Sequence, residues 1–261
     1  MGLPSLDPFS SSAQHKVWRA DELGLADAQV IGTGHAALDA QLPGGGWPVG
    51  AMTELLQSAP EAHAWQLLLP GLAQAVQGGT GPVVLIGAPH EPFGPSLAAG
   101  GLPVESLLWV RSTAPAARLW ACEQALRCAD VAAVLAWLPD ARSAHLRRLQ
   151  IAAHAHNKLL FVFRPLRAQN ESSPAQLRLL LEGSAGDAGN VLLTVLKRRG
   201  PPLAAPVLLD TRPARLSALL AASRERVRRQ REEFASIVRP VTSPQSPVHA
   251  PLDRIAHLDH H

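Results

Sequence analysis

The residues that could do chemistry with a phosphate lie between Pro43 and Val76, in the stretch PGGGWPVGAMTELLQSAPEAHAWQLLLPGLAQAV. A Gly-rich turn feeds an apolar run, Ala51 to Leu56, a loop follows, and an apolar helix opens near Trp65. Strand, loop and helix in that order frame a P-loop, in which glycines turn backbone N–H groups inward, a lysine meets the terminal phosphates and a hydroxyl holds magnesium. This loop carries neither the paired glycines nor the Lys-Ser/Thr step. The frame is present and the chemistry that normally occupies it is not.

Other constellations are weaker. The chain has 11 histidines, but His154 and His156 sit two apart in a helical stretch and do not share a face, and no Cys or carboxylate completes a set with them. The terminal HLDHH lies in a Pro-, Ser- and His-rich tail and is assigned no function. No nucleophile elbow, HExxH or catalytic dyad stands out. Cys122 and Cys128 are six apart in one helical stretch, on different faces, and read as free thiols. No metal site, no cofactor and no enzymatic activity are expected.

The elements that must position the P-loop-like frame follow a βα rhythm. VVLIGA (Val83 to Ala88), LLWVR (Leu107 to Arg111), VAAVLAWL (Val131 to Leu138), LLFVF (Leu159 to Phe163) and NVLLTVLK (Asn190 to Lys197) are short apolar runs without alternation. Such runs predict strands buried on both faces, as in a parallel sheet. AWQLLLPGLAQAV, PAARLWACEQALRCA and SAHLRRLQIAAHAHN between them have helical patterns, and the alternation predicts a mostly parallel α/β sheet with right-handed crossovers. Function is then expected at the carboxyl ends of the strands. With 261 residues, 47% of them hydrophobic, the chain is long enough for one substantial core. Its net charge of +3 permits an anionic partner without requiring one. No signal peptide and no membrane span are read, so a cytoplasmic protein is expected.

The divisions expected are an N-terminal segment with a short helix (1–27), an α/β core (28–211), an amphipathic Arg-rich helix (212–238) with Thr211 as N-cap and Pro213 in its first turn, and a disordered tail (239–261).

Thr33-Gly34, Leu38-Asp39, Leu42, Gly44-Gly45, Pro48, Gly50 and Glu54 match in order and spacing the segment leading into the ATP site of RecA-type recombinases. Together with VWRADELG, LLLPGLA and LLTVLKRRG, they make residues 17 to 235 resemble ImuA, the bacterial RecA-like family associated with translesion DNA synthesis. The cell-division inhibitor SulA is a more distant member of the same group. The resemblance implies a RecA-like core with a degenerate P-loop. Its glycine positions fall on Gln57 and Ala62, its lysine on His63 and its magnesium hydroxyl on Ala64, while the catalytic acid of the loop falls on Ala59. Pro60 also removes a backbone donor. The strand that would end in an aspartate reads Leu135-Ala136-Trp137, and a nucleotide-sensing Asn-Gln pair is replaced by Arg164-Pro165.

By this resemblance the chain is expected to be a non-catalytic adaptor in SOS-type translesion synthesis. Its partners would be a Y-family polymerase-like protein of the ImuB type, RecA, and weakly held single-stranded DNA. The alternatives are a SulA-like cell-division inhibitor or a divergent ATP-dependent DNA-binding protein. Arg142, Arg147, Arg148, Arg164 and Arg167 occupy the places of the DNA-holding loops and could meet phosphates, or could form a solvated face. The final helix carries an apolar stripe of Leu216, Leu219, Leu220, Val227 and Phe234 among arginines. Arg224, Val227, Arg228, Arg231 and Phe234 are the expected partner-binding residues.

Overall fold

The computed structural model describes residues 29–59, 64–79, 81–183, 189–212 and 214–237. The chain forms two compact units, residues 1–213 and 214–261.

The described part of the first unit begins with a small antiparallel pair, β1 (Val30–Ile31) and β2 (Trp47–Pro48), with a one-turn helix α1 (Ala36–Asp39) between them in sequence. The main strands are β3 (Ala51–Gln57), β4 (Val83–Ile86), β5 (Leu107–Val110), β6 (Ala133–Trp137), β7 (Leu159–Pro165), β8 (Leu177–Gly183), β9 (Asn190–Lys197) and β10 (Val207–Asp210). They form one eight-stranded sheet in the order β10-β9-β8-β3-β7-β6-β4-β5. The six strands from β8 to β5 are parallel, and β9 and β10 add to one edge in antiparallel fashion. The sheet is therefore mixed and mostly parallel, as the uninterrupted apolar runs imply.

Crossovers pass through α2 (Ala64–Gln77), α3 (Gly94–Ala99), α4 (Pro115–Arg127) and α5 (Ser143–Ala155). Leu67, Leu68 and Leu72 of α2 and Leu97 of α3 join Leu55, Leu85, Leu135 and Phe161 in one core layer. Cys122 and Leu126 of α4 and Leu146 and Leu149 of α5 join Met52, Ile86, Val134 and Val162 in the other. Each of β3, β4 and β6 thus buries alternate residues in opposite layers; β4 and β6 are correspondingly apolar throughout, whereas β3 also buries Thr53, Glu54 and Gln57.

The Thr33-Gly34-His35 segment docks on α2. Thr33 Oγ1 donates to the His35 carbonyl, and its backbone N–H donates to Asp39 Oδ1 at 2.9 Å. Gly34, at φ +81°, lies so close to Pro70 that a Cβ would sit 2.3 Å from its ring. Pro70 interrupts α2 and has no N–H to offer the Gln66 carbonyl. One residue on, His35 Nε2 supplies a donor to the Leu67 carbonyl at 3.1 Å. This part of the quoted motif is accounted for by packing.

Two strands and one cap differ from the sequence expectation. β8, absent from the apolar runs read above, is hydrogen-bonded to the central strand β3. β10 was not expected, and it closes the antiparallel edge. Thr211 does not show an N-cap's bonding: its hydroxyl donates to the Gly189 carbonyl at 3.0 Å. Pro213, the segment 1–27 with VWRADELG, and the tail 239–261 with HLDHH lie outside the described residues.

The second unit contributes α6 (Ala214–Ile237). Ion pairs tie Arg228 and Arg229 to Glu225, at 2.9 and 3.1 Å, along its surface.

Candidate functional site

The carboxyl ends of β3, β4, β6 and β7 enclose a cleft of about 220 Å³ lined by Gln57, Gly87, Arg118, Trp137, Phe163 and Arg164, with Pro89, Pro139 and Pro165 at its rim. This is the edge at which open α/β sheets place their ligands. β3 ends at Gln57 and α2 begins at Ala64, so the strand–loop–helix frame read from the sequence is present.

What fills that frame is an aromatic stack and prolines, with Gln57, Arg118 and Arg164 among its polar groups. Gln57 is buried at the end of β3, and Ala64 is buried as the first residue of α2. Ala62 and His63 lie outside the described residues. Trp137, at the end of β6, stacks on Phe163 of β7 with ring centroids 4.2 Å apart and planes within 16°. Where magnesium-ordering carboxylate chemistry would need an acid, the strand presents an indole. Arg118 crosses the cleft, donating from Nε to the Ser112 carbonyl at 2.6 Å and from Nη1 toward the Trp137 carbonyl at 3.5 Å. Gly87 (φ +63°) lies against its guanidinium: a Cβ there would come within 2.7 Å of Arg118 Nε.

Behind the cleft, charge is locked inside the sheet. Glu54, fully buried on β3, accepts from Arg178 Nε of β8 at 2.7 Å and from Arg164 Nη1 of β7 at 3.1 Å. Arg164 Nη2 also donates to Glu171 Oε2 at 2.7 Å and to the Ala141 carbonyl at 2.9 Å, and Arg178 Nη2 donates to the Ala168 carbonyl at 2.9 Å. Two carboxylates and two guanidiniums give a neutral cluster spanning three adjacent strands, which is how such charges are retained in a core. The hydrogen bond from Arg164 holds the exposed Glu171 carboxyl below the usual carboxylate range.

The five candidate DNA-contacting arginines do not form one group. Arg164 is 4% exposed and donates to Glu54 and Glu171, so a phosphate would compete with both carboxylates for it. Arg167 is exposed and pairs with Asp140 at 3.1 Å. Arg148 pairs with Glu123 at 2.6 Å, while Arg142 and Arg147 are exposed at and near the start of α5. On α6, Arg224, Val227, Arg228 and Arg231 are exposed; Phe234 is on the same helix, and its side chain lies outside the described part.

Sequence reasoning missed Arg178 and Arg118. The signal for Arg178 was available: AMTELL, FVFRP and QLRLLL each carry a single charge inside an apolar run, and three lone charges on neighbouring strands can neutralise one another. Among the described residues no group of three or more His, Cys, Asp or Glu side chains comes together as a metal site would require, and no helix is long and apolar enough to cross a membrane. Both cysteines are free, with Cys122 buried on α4 and Cys128 exposed just beyond it. Burial pushes the Cys122 thiol far up, so it carries no thiolate.

Comparison with known proteins adds a family. The profile described as "Cell division inhibitor SulA" matches residues 50–159, from the turn before β3 to the first residue of β7. The cell division inhibitor SulA of Edwardsiella piscicida is 32% identical over 120 residues, covering 46% of this chain and 71% of that protein. The chain belongs to the SulA family. The SulA protein of Yersinia pestis (strain Pestoides F) is likewise 32% identical over 118 residues, 45% of this chain and 69% of that protein. The SulA profile takes in β3, β4, α4 and β6, which bring Gln57, Gly87, Arg118 and Trp137 to the cleft. Arg164, Glu171 and Arg178 lie beyond it.

Proposed function

We propose that this SulA-family chain is a non-catalytic binding protein of the SOS-type damage response that inhibits cell division by engaging the tubulin-like division protein. The observation that carries this reading is the family match itself, which falls on the cleft-forming half of the sheet and whose relatives are named as cell-division inhibitors. The geometry supports a binding role over turnover. A buried glutamine, a Trp–Phe stack and a rim of prolines stand where a RecA-like scaffold with a degenerate P-loop would have given up its phosphate chemistry. The protein acts by contact, in stoichiometric amounts. The test is assembly of the purified division protein of the same organism, followed by light scattering. Equimolar full-length chain suppresses assembly under this reading; unchanged assembly at a severalfold excess would sink it.

A second reading, the ImuA-like translesion adaptor, is favoured by one observation. More than half of the chain lies outside the SulA likeness, including most of β7, β8 to β10 and the Arg-rich α6. On that reading the added elements meet a Y-family polymerase-like partner and RecA. Affinity purification of the tagged chain from mitomycin-treated cells, with mass spectrometry of what co-purifies, separates the two: a polymerase-like protein supports the adaptor, and the division protein supports the inhibitor.

A further inference from the structure

We propose that the groove between α4 and α5 is a docking site for an acidic amphipathic helix on a partner protein. The inference is independent of which of the two functional readings holds. The groove has a volume of about 410 Å³ and is lined by Glu123 and Arg127 of α4, Arg148, Ile151, Ala152 and Ala155 of α5, and His156.

Its floor is small and apolar. Ala152 and Ala155 present only methyl groups, and Ile151, which lines the same groove, has 61% of its surface exposed. Small residues beside a single large aliphatic side chain give a shape into which the apolar face of a helix can settle closely. An exposed isoleucine lining a groove is the kind of anchor such a face would bury.

Its walls are cationic in a particular way. Glu123 accepts from Arg127 Nη2 at 2.5 Å on one oxygen and from Arg148 Nη2 at 2.6 Å on the other. One carboxylate thus organises two guanidiniums from facing helices and leaves one positive charge uncompensated, with exposed Arg147 alongside on α5. Both arginines remain more than half exposed while so held. Their free donors are pre-oriented for further carboxylates, because Glu123 fixes each side chain from one end.

Charge and shape together choose the occupant. A second copy of this chain docked through the same groove would set like charges opposite one another across a two-fold axis. Nucleic acid would use the arginines but would leave Ile151 unsatisfied, and the groove offers a base no Trp, Tyr or Phe to stack on, only the imidazole of His156. A helix with an aliphatic stripe flanked by Glu or Asp uses both features.

The probes are two fluorescein-labelled stapled helical peptides of about sixteen residues. They share a Leu stripe and differ only in carrying Glu or Lys on its flanks. Their anisotropy is titrated with the full-length chain. The Glu peptide binds, weakens with added salt, and loses about tenfold in affinity with Ile151→Asp, while the Lys peptide does not bind. The double variant R127E/R148E reverses the preference, and the gain of Lys-peptide binding shows that this variant is folded. Equal affinity for both peptides, no binding by the Glu peptide, or indifference to Ile151→Asp overturns the proposal. So does a labelled thirty-base single strand that binds more tightly than the Glu peptide and is lost in R127E/R148E, which would make the groove a nucleic-acid surface.

Discussion

Arg164 of β7 donates to Glu54 of β3 at 3.1 Å, with the two side chains 2% and 0% exposed. A phosphate-binding scaffold would be expected to spend its charge on the rim of the sheet. Here Glu54 and Arg164 hold their charge inside the sheet, and the cleft presents Trp137, Phe163 and prolines around Arg118, whose Nε donates to the Ser112 carbonyl. The division between buried charge and aromatic rim underlies the reading of the site as a contact surface.

Removing the carboxylate at the centre of the cluster leaves two guanidiniums buried without it. Glu54→Gln is expected to lower stability by roughly 3 kcal/mol, in keeping with the cost of breaking a buried pair from one side. Urea denaturation of the variant checks this, and replacing Arg178 with Met in the same background recovers part of the loss. A loss below about 1 kcal/mol would show that water reaches the cluster.

His35 gives the fold a pH dependence. Burial holds its pKa below the ordinary 6.5, the largest of the influences on it, against the opposing pull of the Leu67 carbonyl and Asp39. The unfolded chain therefore takes up a proton first as pH falls. The stability His35 contributes is fully present above 6.5, declines below it, and stops declining once the pH is under the folded-state pKa. His35→Gln is expected to flatten this part of the profile, measured as denaturation midpoints at about pH 8, 6 and 5 against the parent protein.

Much of the fold was legible because its chemistry is local. The strands Val83–Ile86, Ala133–Trp137 and Asn190–Lys197 announce themselves as apolar runs between Gly, Pro and polar residues. β8 was harder: LRLLLE carries an arginine whose partner is 124 residues away, so the charge looked like surface until the sheet brought it to Glu54. β10 is four residues long with an exposed leucine, and nothing in so short a run distinguishes an edge strand from a loop. At the site, the lack of a Lys-Ser/Thr step between Gln57 and Ala64 could be read directly from the residues. The Trp137–Phe163 stack could not, because it joins strands that the sequence separates by a whole helix.

Residues 1–213 form a compact unit of their own, so deleting residues 224–261 is expected to leave the thermal midpoint of that unit nearly unchanged. If the adaptor reading holds, the truncation abolishes binding to the polymerase-like partner through loss of Arg224, Val227, Arg228, Arg231 and Phe234. Inhibition of division-protein assembly survives it. Thermal melts and the two binding assays on one truncated preparation read all three outcomes.

Single-stranded DNA is expected to bind weakly and with steep salt dependence, since only dispersed arginines such as Arg142, Arg147 and Arg167 are offered to it. Arg167 already has Asp140 as a partner. A log–log plot of affinity against salt should show a slope of magnitude about 2 or less. Nanomolar affinity that persists at high salt would be incompatible with these placements.

The central claim, that the strand–loop–helix frame of β3 and α2 is kept without its phosphate chemistry, is tested most directly by titrating the full-length protein with magnesium-ATP in a calorimeter. The account predicts no saturable heat up to millimolar nucleotide and no release of phosphate over hours. Saturable binding at micromolar nucleotide, weakened by substituting Gln57 or Arg118 in the cleft, would contradict it.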